Sequence, residues 1–138
     1  MAEIQQSSNT TFRLYDWNRV GADGKSRELH IEQSLETINY DHGPAKVQEP
    51  TTTDDPEIGR LVACDKFVLD RWSMTQEKST RADDRFHVLS VLSGAVDVEG
   101  DVSGQPVKQG QTILVPASTG SVKVVPRTNS VVLDMYLP

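Results

Sequence analysis

The three histidines are the first residues whose type could support metal or acid–base chemistry. His30, His42 and His87 form neither an H-x-H pair nor an H-E-x-x-H helix, the spacings at which two imidazoles ligate one metal ion. No metal site is therefore predicted. His87 lies in an apolar stretch that predicts a central strand, and it is the best single candidate for a site residue. The alternative for His87 is a core imidazole that is hydrogen-bonded to the backbone.

Positively charged side chains form the second candidate group. Arg19 and Lys25 lie on either side of Gly21 and Gly24, and cations on a glycine-containing turn could hold a phosphate. Solvated turn charges are the alternative. The sequence has no G-x-S-x-G, G-x-x-x-x-G-K-[ST] or G-x-G-x-x-G motif, so neither nucleophilic hydrolysis nor nucleotide binding is predicted. The single cysteine, Cys64, excludes an intramolecular disulfide and a cysteine-based zinc site.

In the second half of the chain, short strands must position the candidate residue His87. Turn signals separate six segments that are rich in β-branched or large apolar side chains: 67–69, 86–92, 95–98, 112–115, 122–125 and 131–137. This spacing predicts an antiparallel sandwich or barrel. In the last segment, the alternation predicts a core face carrying Leu133 and Met135, and a more polar face carrying Asp134 and Tyr136.

The first half predicts different elements. Residues 10–16 alternate as a strand does, and residues 27–39 carry an imperfect helical stripe, the only credible helix. Residues 50–59 are rich in Thr, Asp and Pro and predict an exposed linker. We expect a single domain over 1–138, with the strand, helix and loop in 1–60 and the barrel in 61–138.

Composition and charge limit the partners. The 138 residues include 14 Lys and Arg against 20 Asp and Glu, a formal net charge of −6. Without a basic stripe, a nucleic-acid partner is not expected. No apolar run reaches about 18 residues, so no membrane span is expected. Residues 1–9 lack the features of a secretory signal, which makes the cytoplasm the default compartment.

One local pattern is similar to a known fold family. Residues 110–116 place a glycine and a proline around five mostly apolar residues, which resembles the second half-motif of cupins, small barrels of two antiparallel sheets. Ser121 stands about where metal-binding cupins have a histidine. Residues 86–94 resemble part of the first half-motif, with His87 alone rather than a histidine pair. The resemblance implies a cupin-like jelly-roll barrel without a transition metal.

The N-terminal segment narrows the resemblance. Residues 3–17, from Glu3 to Trp17, resemble a signature segment of bacterial class I mannose-6-phosphate isomerases. Residues 19–32 fit the next segment of that family, and residues 86–138 resemble its C-terminal domain. The fold class implied is an all-β, cupin-like antiparallel jelly-roll barrel with an N-terminal strand arm and one short helix.

This resemblance also implies a chemistry. Family members are zinc enzymes that interconvert mannose 6-phosphate and fructose 6-phosphate, and the resemblance places their zinc ligands upstream of the segment that matches Glu3. It therefore implies no cofactor held by this chain itself. Arg13 matches the arginine at the sugar-phosphate site, and Glu3 matches an acidic residue on the active-site wall. The local alternative for Arg13 is an ion pair with Asp16.

Three functions follow from these observations. The first is an isomerase-related protein, partial or split, whose catalytic residues are Arg13 and Glu3. The second is a metal-free module that binds a sugar phosphate through Arg13, Arg19, Lys25 and His87. The third is a structural barrel that forms a homodimer by pairing the N-terminal strand with a second copy.

Overall fold

Strands make up most of the regular structure. The computed structural model describes residues 4–5, 7–44 and 46–138, and contacts divide the chain into two units, Met1–Val47 and Gln48–Pro138. The second unit carries ten strands: β1 Thr51–Thr52, β2 Ile58–Ala63, β3 Val68–Met74, β4 Lys78–Ser79, β5 His87–Ser93, β6 Ala95–Val98, β7 Val107–Lys108, β8 Thr112–Val115, β9 Lys123–Pro126 and β10 Ser130–Tyr136. It also has a 3₁₀ turn at Ala117–Thr119.

These strands form two antiparallel sheets. One has six strands in the order β1-β2-β3-β10-β5-β8, and the other has four in the order β4-β9-β6-β7. The hydrophobic core lies between the sheets and includes Trp72 and Leu89 from the first and Val96 and Val124 from the second. The six strands expected from the sequence correspond to β3, β5, β6, β8, β9 and β10, so the all-β class is confirmed.

Gly94 connects the two sheets in a single residue between β5 and β6. Its φ of +78° lies in the left-handed region, and a Cβ there would approach the Asn129 carbonyl oxygen to 2.8 Å. Glycine is the residue that adopts this conformation without steric cost. The turn expected at this position is confirmed.

The interior face of β10 is the opposite of the predicted one. Val132, Asp134 and Tyr136 are all buried, and of the predicted core face Leu133 is buried as expected but Val131 and Met135 are only partly buried. The prediction was wrong because it placed the more polar face in solvent, whereas Asp134 and Tyr136 find polar partners inside the sheet. This reversal carries the polar residues of β10 into the interior.

The predicted linker over 50–59 was also wrong. Thr51 and Thr52 pair with Arg60 and Gly59, and β2 begins at Ile58. This segment, although rich in Thr, Asp and Pro, therefore contains a short edge strand. Such residues are tolerated at the edge of a sheet. Two residues are too few to show the alternation that would indicate β1.

A buried lysine joins β4 to the segment that precedes β2. Lys78 is almost fully buried, and its ammonium lies 2.6 Å from Asp55 Oδ2 and 3.0 Å from Glu57 Oε2. Burial alone would lower the pKa of Lys78, but the hydrogen bond that its ammonium donates to Asp55 and its contact with the Glu57 carboxylate outweigh burial and raise it. Lys78 is therefore charged at neutral pH and holds two segments of the unit together.

Replacing Lys78 with methionine is expected to lower the free energy of unfolding by about 1–3 kcal/mol, because two carboxylates lose their counter-charge. The matched control is Lys123→Met, whose ammonium pairs with Glu77 on the surface at 3.2 Å. Its loss should cost less than about 1 kcal/mol. Urea denaturation of both variants checks the difference, and equal costs would contradict a structural role for Lys78.

The first unit is less regular than predicted. Its helix α1 spans only Ile31–Thr37, followed by a 3₁₀ turn at Tyr40–His42, and residues 10–16 form no strand. The strand prediction was wrong because the Arg13 backbone bonds to His30 instead: Arg13 N–H donates to His30 Nδ1 at 3.2 Å, and His30 N–H donates to the Arg13 carbonyl at 2.8 Å. The homodimer was predicted to form through this N-terminal strand. It stays a prediction, but residues 10–16 do not supply the strand.

The predicted helical stripe is exposed. Leu29, Ile31, Leu35 and Ile38 are each about half exposed, so the helix shows its apolar side rather than burying it within this unit. Across residues 4–5, 7–44 and 46–138, no helix is both long and apolar enough to cross a membrane.

Candidate functional site

Two arginine side chains contact the Asp16 carboxylate in the first unit, and a third arginine is bonded to the Asp16 backbone. Arg27 donates from Nε to Asp16 Oδ2 at 2.8 Å and from Nη2 to Oδ1, a bidentate arrangement. Arg13 Nε lies 3.8 Å from Asp16 Oδ1, which confirms the local ion pair that the sequence suggested. Arg19 N–H donates to the Asp16 carbonyl at 2.9 Å. The carboxylate is therefore paired with two guanidinium groups, and the charge of Arg19 acts on it only as a weaker, more distant contribution.

The charge balance around Asp16 favours an additional anion. The hydrogen bond from Arg27, followed by the charges of Arg27, Arg13 and Arg19, lowers the pKa of Asp16 despite its burial. Asp16 is thus ionised at neutral pH and neutralises only one of the three arginines. The remaining two charges are available to an anion from outside this cluster.

A strained turn lies between Asp16 and Arg19. Trp17 and Asn18 both have φ of +53°, and two consecutive non-glycine residues in the left-handed region are unusual and costly. The Trp17 side chain is 74% exposed, and its ring meets that of Tyr15 edge-on with centroids 5.4 Å apart. The turn thus presents two exposed aromatic rings on the segment that carries the arginines.

The other sequence-predicted residues of this unit fall in different places. Lys25 lies on the turn whose backbone bonds join Gly21 N–H to the Lys25 carbonyl at 2.8 Å, and its side chain is exposed. Arg13 also donates from Nη1 to the Glu28 carbonyl at 3.0 Å, which fixes its guanidinium. Glu3 lies outside the described residues.

A second polar group lies inside the strand unit, around His87. The imidazole is 1% exposed, and its Nδ1 lies 2.8 Å from Asp134 Oδ1. Nε2 lies 3.4 Å from Asp83 Oδ1, within ion-pair distance, but within the described part of the chain it has no hydrogen-bond partner. The histidine is therefore buried as expected, but it contacts a carboxylate rather than the backbone.

Neighbouring strands extend this polar group. Asp70 on β3 lies directly opposite Asp134 on β10. Arg60 donates to both oxygens of Asp70, at 2.9 and 3.0 Å, and also to the Tyr136 hydroxyl at 2.9 Å. Tyr136 in turn donates to Asp70 Oδ2 at 2.9 Å. We call Arg60, Asp70, His87, Asp134 and Tyr136 the interior polar network.

Burial and charge set the protonation of this network. Burial alone favours the neutral imidazole, but the hydrogen bond to Asp134 and the charges of Asp134 and Asp83 outweigh it and raise the pKa of His87. Burial, together with the hydrogen bond to Asp70, raises the pKa of Tyr136 to about 12. At neutral pH Tyr136 is a neutral donor, and His87 carries more positive charge than an exposed histidine does.

Sequence reasoning missed most of this network. Only His87 was singled out, whereas Arg60, Asp70, Asp134 and Tyr136 were not proposed as site residues. A signal was present on β3, where Asp70 lies on the same face of the strand as the apolar Val68, Trp72 and Met74. A charged residue on a core face must be buried together with a partner. The partner itself, ten residues earlier on β2, gave no signal.

Comparison with known proteins identifies the family to which this chain belongs. The family model described as the mannose-6-phosphate isomerase cupin domain matches residues 57–133, more than half of the chain. The chain belongs to that family. The match covers β2 to β9 and most of β10, and with it the all-β, cupin-like fold is confirmed.

Curated isomerases resemble a larger part of the chain. Mannose-6-phosphate isomerase ManA of Bacillus subtilis (strain 168) is 34% identical over 127 residues, which is 88% of this chain and 39% of that protein. A probable mannose-6-phosphate isomerase of the same organism, GmuF, is 31% identical over 124 residues, 88% of this chain and 39% of that protein. The chain thus spans about two fifths of the length of these relatives.

Solved structures support the fold. The mannose 6-phosphate isomerase from Bacillus subtilis superposes with a TM-score of 0.70 at 22% identity, covering 93% of this chain and 40% of that one. The Salmonella typhimurium enzyme, solved with fructose 6-phosphate and zinc, gives a TM-score of 0.62 at 14% identity, covering 82% of this chain and 29% of that one. At these identities the likeness concerns the fold alone.

The zinc of the family does not fit the residues described in this chain. Among residues 4–5, 7–44 and 46–138, no group of three or more His, Cys, Asp or Glu side chains is arranged to hold a metal ion. In the interior polar network, His87 is the only imidazole, and its Nδ1 is already bonded to Asp134. A zinc site needs three or four converging donors, and the described residues do not supply them.

Proposed function

We propose that this member of the mannose-6-phosphate isomerase cupin family binds a sugar phosphate through the cations around Asp16. The ligands proposed are mannose 6-phosphate and fructose 6-phosphate, the pair that the family interconverts. Arg13 and Arg19 would hold the phosphate, with Lys25 as an exposed third cation. Recognition of the phosphate is the first part of the chemistry that we propose for this chain, and proton transfer is the second.

The observation that carries the proposal is the excess of positive charge at Asp16. The whole chain has a net charge of −6, yet Arg13 and Arg27 both contact one carboxylate, and the charge of Arg19 acts on it as well. Guanidinium groups bind phosphate oxygens through paired N–H donors, with hydrogen bonds about twice as strong as neutral ones. A doubly charged phosphate would balance the two arginines that Asp16 leaves uncompensated.

The sugar ring has a candidate surface beside these cations. Trp17 and Tyr15 expose their rings on the same short segment as Arg13 and Arg19. An aromatic ring packs against the C–H face of a sugar while its polar edge stays hydrated. The cost of holding Trp17 in the left-handed region supports a role in binding, since strained residues concentrate at functional sites.

Proton transfer is the second half of the chemistry. Aldose–ketose isomerisation moves a proton between adjacent carbons through an enediolate, which needs a general acid–base group and a cationic partner for the developing oxyanion. We propose Glu3 as the carboxylate that moves the proton, with Arg13 as the cation. His87 is proposed only as a further polar contact of the strand unit.

Titration calorimetry at low ionic strength tests recognition. Mannose 6-phosphate is expected to bind, and unphosphorylated mannose to bind at least about tenfold more weakly, because the charge-assisted contacts go to the phosphate. Arg13→Met should weaken binding by about tenfold or more, and Arg19→Gln and Lys25→Gln by about two- to fivefold each. Lys66→Gln, an exposed lysine of the strand unit, is the matched control and should change nothing.

Two outcomes separate the parts of this proposal. No binding of mannose 6-phosphate at millimolar concentration, or equal binding of mannose, contradicts the phosphate site. A coupled isomerase assay with and without added zinc then examines turnover. If the chain converts the substrate, and Glu3→Gln abolishes conversion while binding persists, the result supports proton transfer by Glu3. If the chain binds the substrate without converting it, its role is limited to recognition.

A further inference from the structure

The edge strand β8 differs from the other sheet edges in length. In the described part of the chain, the edges of the two sheets are β1, β8, β4 and β7. Three of these strands have two residues each, whereas β8 has four, Thr112–Val115. Natural sheets keep their edges short because an unpaired edge accepts another strand. β8 is therefore the edge best able to pair with a further strand.

The backbone groups of β8 that face this edge can be identified. Val91 N–H donates to the Gln111 carbonyl at 3.0 Å, and the pairs Leu89–Ile113 and His87–Val115 follow at intervals of two residues. In an antiparallel ladder the bonding groups alternate, so Ile113 and Val115 bond to β5. The N–H and C=O groups of Leu114 accordingly face away from the sheet, and its side chain is 59% exposed.

A groove of about 540 Å³ runs along this edge. Four consecutive residues, 113–116, line it, although neighbouring side chains of a strand point to opposite faces; the groove must therefore lie beside the edge rather than on one face. Val98 and Val122 form the opposite wall, and together with Val115 they are buried core residues. The groove is thus an apolar gap between the edge strand β8 of one sheet and, in the other sheet, the end of β6 and the residue before β9, and its size is typical of ligand sites.

The rim of the groove is acidic. Glu99 and Asp101 both line it. Glu99 accepts from the backbone N–H of Lys123 at 3.2 Å, while the Lys123 ammonium pairs with Glu77. Asp101 accepts from the Ser103 N–H and hydroxyl at 3.0 and 2.7 Å. No Lys or Arg among the described residues forms an ion pair with either carboxylate, so both negative charges are uncompensated.

We propose that this groove binds an extended segment of a partner protein that alternates aliphatic and basic side chains. The segment would add to the free edge of β8 through backbone hydrogen bonds. Its aliphatic side chains would enter the gap between Val98, Val115 and Val122, and its lysine or arginine side chains would pair with Glu99 and Asp101. A sugar phosphate does not suit this groove, because its charge has the same sign as the rim.

A defined peptide pair tests the proposal on the full chain. The probe is a capped nine-residue peptide that alternates valine and lysine, and its counterpart has glutamate in place of lysine. The lysine peptide is expected to shift the backbone amide resonances of residues 112–115 and 98–102 in a ¹⁵N-labelled sample. The glutamate peptide should bind at least about tenfold more weakly, because attraction to the rim becomes repulsion.

Variants of the groove separate its two contributions. Leu114→Pro removes the outward N–H without touching the ladder to β5 and should weaken the lysine peptide by about tenfold, whereas Leu114→Ala keeps the N–H and should weaken it less than about threefold. Glu99→Gln with Asp101→Asn should weaken it by about fivefold, and it tests the rim even if Leu114→Pro does not fold. Glu49→Gln is the control for a remote carboxylate.

Three results would overturn the proposal. The first is the absence of amide shifts at millimolar lysine peptide. The second is equal binding of the lysine and glutamate peptides. The third is a doubled mass of the free protein with the β8 amides protected, which would mean that a second copy of this chain covers the edge.

Discussion

Replacing Arg60 with methionine is expected to lower the free energy of unfolding by about 3–5 kcal/mol. Arg60 supplies two of the three hydrogen bonds that the Asp70 carboxylate receives in the interior polar network. Asp70 is 2% exposed, so the variant leaves a carboxylate in the interior with only the Tyr136 hydroxyl as a donor. Urea denaturation should show a lower midpoint at an unchanged slope, since the extent of unfolding is the same.

Two further variants test whether the loss of stability comes from the unpaired Asp70 carboxylate rather than from lost packing. Arg60→Met combined with Asp70→Leu removes both charges and should recover most of the stability, because an apolar pair can replace a buried ion pair. Tyr136→Phe leaves Arg60 and Asp70 paired and should cost about 1 kcal/mol. If Arg60→Met alone stays within about 1 kcal/mol of the wild type, as a surface pair would, Asp70 is not held as a buried ion.

The period of two along the chain was enough to predict most of the strands. In β3, β5 and β10 the alternation is strong because one face is buried against the second sheet, and the glycine turns between strands need left-handed backbone that few other residues adopt. β2 was not predicted, because its residues are almost all partly buried and do not alternate, and the short strands β1, β4 and β7 were not predicted either. Two residues carry too little pattern, and these strands exist only because a neighbour supplies their hydrogen bonds.

The assignment of faces failed where polar residues are buried in pairs. Asp134 and Tyr136 look like solvent-facing residues when β10 is taken alone, but their partners lie far away in sequence: Tyr136 contacts Asp70 across 66 residues, and Arg60 across 76. A local pattern contains no information on such contacts. The sequence therefore predicted the strand and the position of His87 but not the network around it.

In the N-terminal segment, a local pattern predicted a strand that does not form. Residues 10–16 alternate as a strand would, yet a strand needs a neighbour, and the Arg13 backbone finds one in His30 rather than in a sheet. The charged residues were easier to predict, because Arg13 and Asp16 are only three residues apart and their ion pair is local. Arg27, the main partner of Asp16, lies eleven residues further on and was not connected to it.

The stability of the strand unit is expected to decrease as pH rises through the pKa of His87 in the folded state. That pKa is raised above the ordinary value of 6.5, because Asp134 and Asp83 favour the imidazolium more than burial disfavours it. A group whose pKa is higher in the folded state binds its proton more tightly there. Its contribution is therefore complete below about pH 6.5 and is lost at higher pH. Urea denaturation at a series of pH values measures this slope.

His87→Gln identifies the source of that slope. At pH 6 the variant should be less stable than the wild type by about 3 kcal/mol, because the buried Asp134 loses its charged partner. The difference should narrow as pH rises, since the wild-type imidazole also loses its charge, while Tyr136, with its pKa of about 12, stays neutral throughout. His42→Gln, which alters an exposed histidine of the other unit, should keep the wild-type slope. Parallel profiles for wild type and His87→Gln would mean that the imidazole is neutral in the folded state, and that its bond to Asp134 is an uncharged hydrogen bond.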